Sequence, residues 1–108
     1  MAIARQDYRM MSMQAAYPNV YQAFLKALDK VNVGPYDVIA ELVGINSDMT
    51  LIRIRCGTDF QESLEWSIST SHLLCLHESV MQKFEQVALA CRQATMDGYK
   101  AMMKNMQP

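Results

Sequence analysis

Several things are scarce or missing in this 108-residue sequence. No apolar run reaches the ~18 residues that a membrane helix needs, so no span is expected. The first residues lack the basic, apolar and small-residue succession of a secretory signal, so a cytoplasmic location is expected. Cysteine is sparse and odd in number, three residues in all. That suits a reducing compartment better than a disulfide framework. Excess charge is nearly absent, with ten Lys+Arg against eleven Asp+Glu. There is no P-loop, no GxGxxG, no internal repeat and no long linker, so residues 1–108 are expected to form a single domain without a nucleotide site of those kinds.

Apolar residues make up 51% of the chain, enough for a folded core and against disorder. A chain this short buries only part of its surface, which favours a dimer sharing one core. Ten methionines stand out. Met is flexible and polarizable, suited to adaptable interfaces as well as cores. Charge is unevenly placed. Residues 1–35 carry Arg5, Arg9, Lys26 and Lys30 against Asp7 and Asp29, and residues 87–108 carry Arg92, Lys100 and Lys104 against Asp97. The middle has three basic and eight acidic residues. Scatter among small counts gives such a pattern, and so does a pair of basic ends that meet an anion.

Residues 3–16 are rich in helix formers, Met, Gln and Ala. Pro18 either opens a new helix or kinks a longer one. Tyr21, Phe24, Leu25 and Leu28 recur at helical spacing, and Gly34-Pro35 stops that helix. Residues 36–43 read both ways, since Val38, Ala40 and Leu42 alternate as in a strand while Ile39, Leu42 and Val43 line a helical face. Residues 44–48 read as a turn. The clearest strand is Leu51-Ile52-Arg53-Ile54-Arg55-Cys56, apolar on one face and basic on the other. Leu64, Trp66 and Ile68 alternate with Glu65, Ser67 and Ser69, which predicts an antiparallel hairpin across Gly57. Its second face sets Arg53 and Arg55 near Glu65 and Glu62, where charge pairing fixes register. From Ser69–Ser71 onward, Leu73, Leu76, Val80, Phe84, Val87 and Cys91 predict one long helix, with Gly98 as a place where it loosens or kinks. The expected class is therefore α+β, with an N-terminal helix, a three-stranded antiparallel meander and a long C-terminal helix. Ile52, Ile54, Trp66, Ile68 and Phe84 are the candidate core or dimer residues.

Catalytic and metal constellations are weak. His72, Cys75, His77 and the more distant Cys91 hold ligand types. On one continuous helix, though, His77 points about 140° away from His72, and a zinc site needs converging side chains. Neither histidine completes a triad with Ser69 or Ser71. Glu62 and Glu65 suit solvent or Arg pairing better than acid/base work. A helix-turn-helix through residues 39–45 is opposed by the β-branched alternation that follows. No cofactor, no metal and no enzymatic activity are expected.

Within Glu41–Leu74 the chain resembles the YbaB/EbfC nucleoid-associated family. The matching stretches are Leu42-Val43-Gly44 at the end of a first strand, Leu51-Ile52-Arg53-Ile54-Arg55-Cys56-Gly57 as the central strand, Leu64-Glu65-Trp66-Ser67-Ile68 as the third, and Leu73-Leu74 at the helix start. The family's Ile-Asp-Pro stands here as Ile68-Ser69-Thr70, and Pro18 departs from its first helix. The resemblance implies a homodimer whose projecting helices clamp duplex DNA in the nucleoid. Arg5, Arg9, Arg92, Lys100 and Lys104 would then lie along the phosphates, giving salt-dependent and largely sequence-independent binding. The alternative is a protein-binding module, such as a small secretion chaperone or a phage-encoded inhibitor, which the same element order and Met-rich surface also fit.

Overall fold

The computed structural model describes residues 10–106, with side chains through residue 98. In chain order the elements are β1 (Met11–Ser12), α1 (Met13–Ala16), α2 (Pro18–Lys30), β2 (Val38–Ile45), β3 (Met49–Cys56), β4 (Glu62–Ser69), α3 (Thr70–Leu74) and α4 (Glu78–Met106). Single 3-10 turns, Pro35–Asp37 and Thr58–Phe60, precede β2 and β4. The sheet is antiparallel in the order β1-β2-β3-β4.

Alternation in β3 creates the two layers. Thr50, Ile52, Ile54 and Cys56 are fully buried, while Leu51, Arg53 and Arg55 between them are half-buried. Ile52 lies between Leu42 of β2 and Trp66 of β4, and Ile54 between Ala40 and Leu64. That face is covered by α2 and α4. Val20, Phe24 and Leu28 of α2 meet Val80, Phe84, Val87 and Cys91 of α4 in one core. Phe24 and Phe84 pack edge to face with centroids 5.2 Å apart. Of residues 36–43, ambiguous in sequence, Val38 to Val43 belong to β2, and Tyr36 and Asp37 lie in the 3-10 turn before it. The register of β2 slips between Leu42 and Gly44, so Val43 is a bulge and the alternation breaks there. β2 runs on to Ile45, and the turn shortens because Asn46 Oδ1 accepts from the N–H groups of Asp48 and Met49 at 2.8 and 2.7 Å.

Three expectations need correction. The sheet has four strands rather than three, because Met11 and Ser12 pair with Leu42 and Glu41. The same pairing makes Met11 and Ser12 a strand within the stretch 3–16 expected to be helical, of which Met13–Ala16 is helical and residues 3–9 lie outside the described residues. Ser12 caps α1 through its hydroxyl, and Pro18 opens α2 at its first turn. The predicted long C-terminal helix is divided at Cys75-Leu76-His77. There Leu76 takes a left-handed conformation, φ 54°, while its side chain still packs on the core. His77 then caps α4, its Nδ1 accepting from Ser79 N–H at 3.1 Å. α4 runs on through Gly98 to Met106. A Cβ at Gly98 would collide with the Thr58 hydroxyl, so glycine lets the helix approach the β3–β4 connector.

Candidate functional site

Because the helices cover one face, the other face of the sheet is left without a layer among the described residues. Ile39, Glu41 and Val43 of β2, Leu51, Arg53 and Arg55 of β3, and Ser63, Glu65 and Ser67 of β4 lie on it. Its charges are internally matched. Arg53 Nε donates to Glu65 Oε2 at 2.9 Å, the pairing expected across the hairpin. Arg55 Nε instead donates to Glu41 Oε1 at 3.1 Å, and the Glu41 side chain is only 14% exposed. Glu62 does not take that role, because it stands opposite Cys56 and so has the parity of the helix-covered face. Met10 closes one side, its sulfur accepting from Arg53 Nη1 at 3.6 Å.

Two grooves border this face. The larger, about 440 Å³, follows the outer edge of β2 and is lined by Met10, Met11, Tyr21, Val38, Ile39 and Ala40 among others. It exists because β1 covers β2 only at Leu42 and Glu41. The smaller, about 250 Å³, lies at the opposite end of β2 among Val43, Ile45, Met49 and Leu51. Met10, Met11 and Met49 are 47%, 40% and 44% exposed, which places part of the methionine excess around these grooves. The groove residues were not singled out in the sequence. The only signal was the Met-rich start, since a free strand edge follows from the pairing order.

Of the five predicted DNA contacts, Arg92 alone has a described side chain. Arg5 and Arg9 lie outside the described residues. Arg92 is exposed on α4, and Lys100 and Lys104 sit on the same helix beyond the described side chains. Of the core or dimer candidates, Ile52, Ile54 and Phe84 are buried within one chain, so they are core; Trp66 and Ile68 are partly buried and pack at its margin.

The His-Cys segment is rearranged by the break before α4. His72 and His77, set apart on a continuous helix, stack here with ring centroids 4.4 Å apart and 17° between planes. Stacked imidazoles do not aim their nitrogens at one point. Among the described residues, no group of three or more His, Cys, Asp or Glu could hold a metal ion. Ser79 rather than Ser69 or Ser71 reaches His77, at 2.9 Å, and Ser69 and Ser71 bond to each other. Cys75 is exposed, while Cys56 and Cys91 are buried side by side. The Cys91 thiol donates to Cys56, and this bond together with burial holds Cys91 protonated well above the usual thiol range. The same bond lowers the Cys56 thiol against the opposing effect of burial.

The fold and this surface define a two-layer α+β protein with a partly uncovered antiparallel sheet. Among the described residues, no helix is long and apolar enough to cross a membrane. Compared with known proteins, the chain matches no family model, no curated protein and no solved structure. The resemblance to the YbaB/EbfC family accordingly rests on the sequence pattern alone.

Proposed function

We propose that this protein is a non-enzymatic binding module that takes an extended, partly apolar segment of another protein along the outer edge of β2. The observation that carries this reading is the 440 Å³ groove, which joins strand edge, methionine side chains and Tyr21. An added strand gains main-chain hydrogen bonds from the edge, and alternate side chains fill pockets beside it. Methionines give such a site tolerance for different sequences. The neighbouring sheet face suits a peptide better than a phosphate backbone, since Arg53 and Arg55 are held by Glu65 and Glu41. This is the protein-binding alternative of the sequence reading.

The duplex-clamp reading keeps one favourable feature. At 100° per residue, positions 92, 100 and 104 of α4 fall within an arc of about 120°. One titration separates the two. A synthetic peptide of alternating apolar and polar residues is expected to shift the resonances of Val38, Ile39 and Ala40 and to protect the outward amides of Val38 and Ala40, since that of Ile39 already faces Arg55 of β3. Ile39→Glu should abolish the effect while leaving the far-UV spectrum intact. Peptides of varied sequence that leave those amides unmoved, with a short duplex shifting residues around Arg92 in a steeply salt-dependent way, would overturn the peptide reading in favour of the clamp.

A further inference from the structure

The opposite edge of the sheet has a different character. β2 is partly covered by β1 and broken by a bulge at Val43. β4 has no outer neighbour among the described residues, and it pairs with β3 without a register shift from Glu62 to Ser69. Free edges are normally blunted by lysine, proline, bulges or short length. β4 has eight residues, Glu-Ser-Leu-Glu-Trp-Ser-Ile-Ser, with no lysine, proline or bulge; of its two charged residues, Glu62 stands at the strand's first position and Glu65 is held by Arg53. Next to it, Trp66 Nε1 is buried without a hydrogen-bond partner.

The direction of the free backbone groups follows from one bond. Thr70 N–H donates to Asp48 O at 2.9 Å, continuing the β3–β4 register by one step. In an antiparallel ladder, alternate residues turn both N–H and C=O to the same neighbour. Leu64, Trp66 and Ile68 therefore bond to β3, while Ser63, Glu65, Ser67 and Ser69 present theirs outward. A second strand must match outward residues with outward residues. A second β4 does so about a two-fold axis at Trp66. Glu65 then pairs with Ser67 of the other copy and Ser63 with Ser69, while Trp66 faces Trp66 and Leu64 faces Ile68 on the helix-covered face.

Other registers fail for stated reasons. A slip of one residue sets outward groups against groups already bonded to β3 and puts the two helical layers on opposite sides. A slip of two in one direction opposes Glu65 to Glu65, like charge against like. A slip of two in the other direction leaves only residues 65–69 of each strand facing one another.

We propose that β4 is a self-association edge, at which two copies of this chain join antiparallel with Trp66 on the two-fold axis into one continuous eight-stranded sheet. The interface lies across the sheet from the β2 groove and does not depend on what that groove binds. Sedimentation equilibrium of the full chain is expected to give twice the 12.3 kDa chain mass at micromolar concentration. Ser67→Pro removes an outward N–H and leaves the bonds to β3 intact, as proline permits at an edge position. It should raise the dimer dissociation constant ~10-fold or more without changing the far-UV spectrum. In the wild type, the Glu65 and Ser67 amides should exchange as slowly as that of Trp66. A single-chain mass throughout, or a dimer in which the Glu65 and Ser67 amides exchange freely, overturns the proposal. If Ser67→Pro does not fold, the wild-type exchange pattern and mass decide it.

Discussion

Two threonine hydroxyls are buried where the β2–β3 turn meets the start of α3. Thr70 Oγ1 donates to Asn46 O at 2.9 Å, so the 2.8 Å contact between Thr50 and Thr70 must run from the Thr50 hydroxyl to Thr70 Oγ1. The two residues are therefore unequal. Thr50→Val removes a donor but leaves Thr70 still bonded to Asn46. Thr70→Val strands both the Thr50 hydroxyl and the Asn46 carbonyl. Since an orphaned buried group costs about 1–3 kcal/mol, Thr70→Val should destabilise by that much and by more than Thr50→Val in urea unfolding. Equal losses would mean that the chain of bonds does not hold in solution. No sequence pattern announces this pair, because a threonine in a strand and another at a helix start look like ordinary β-former and cap.

At the scale of elements, α4 meets the β3–β4 connector through Gly98 and Thr58. Gly→Ala within a helix ordinarily stabilises by about 1 kcal/mol. Here the new methyl group lands on the Thr58 hydroxyl. Gly98→Ala is expected to lower stability by about 1–3 kcal/mol, with part recovered by adding Thr58→Ala. A raised melting temperature for Gly98→Ala alone would show that α4 does not lie against the connector. Some elements were legible from periodicity and others were not. β3 was plain because Ile52, Ile54 and Cys56 face a core while Arg53 and Arg55 find carboxylates on the far side. β2 was ambiguous because a bulge interrupts its alternation. The division between α3 and α4 was hidden because Leu76 satisfies the helical stripe with its side chain while its backbone leaves the helix. β1 was invisible, since a two-residue strand has no period of its own.

For the molecule as a whole, the three cysteines report how tightly the layers close. Cys56 of β3 and Cys91 of α4 have no exposed surface, and Cys75 is exposed between α3 and α4. One thiol in three should react with an alkylating reagent under native conditions, and all three in denaturant. Rapid native labelling of Cys91 would mean that α4 separates from the sheet. The candidate site was less legible than the fold, because it consists of what is left uncovered. A free strand edge is a property of the pairing order, and neither Met10 nor Ile39 differs in type from a core residue. The charge pattern draws attention to the two ends of the chain, and Arg92 among them lies on α4 rather than in the β2 groove.

Trp66 is the sole tryptophan, it lies on the β4 edge, and the Lys83 ammonium sits 5.5 Å from its ring centre. The protein thereby carries its own optical reporter. Indole emission responds to a nearby cation and to water, so any event that recruits a neighbour to this strand, or strips one away, writes itself into the intrinsic fluorescence with no label attached.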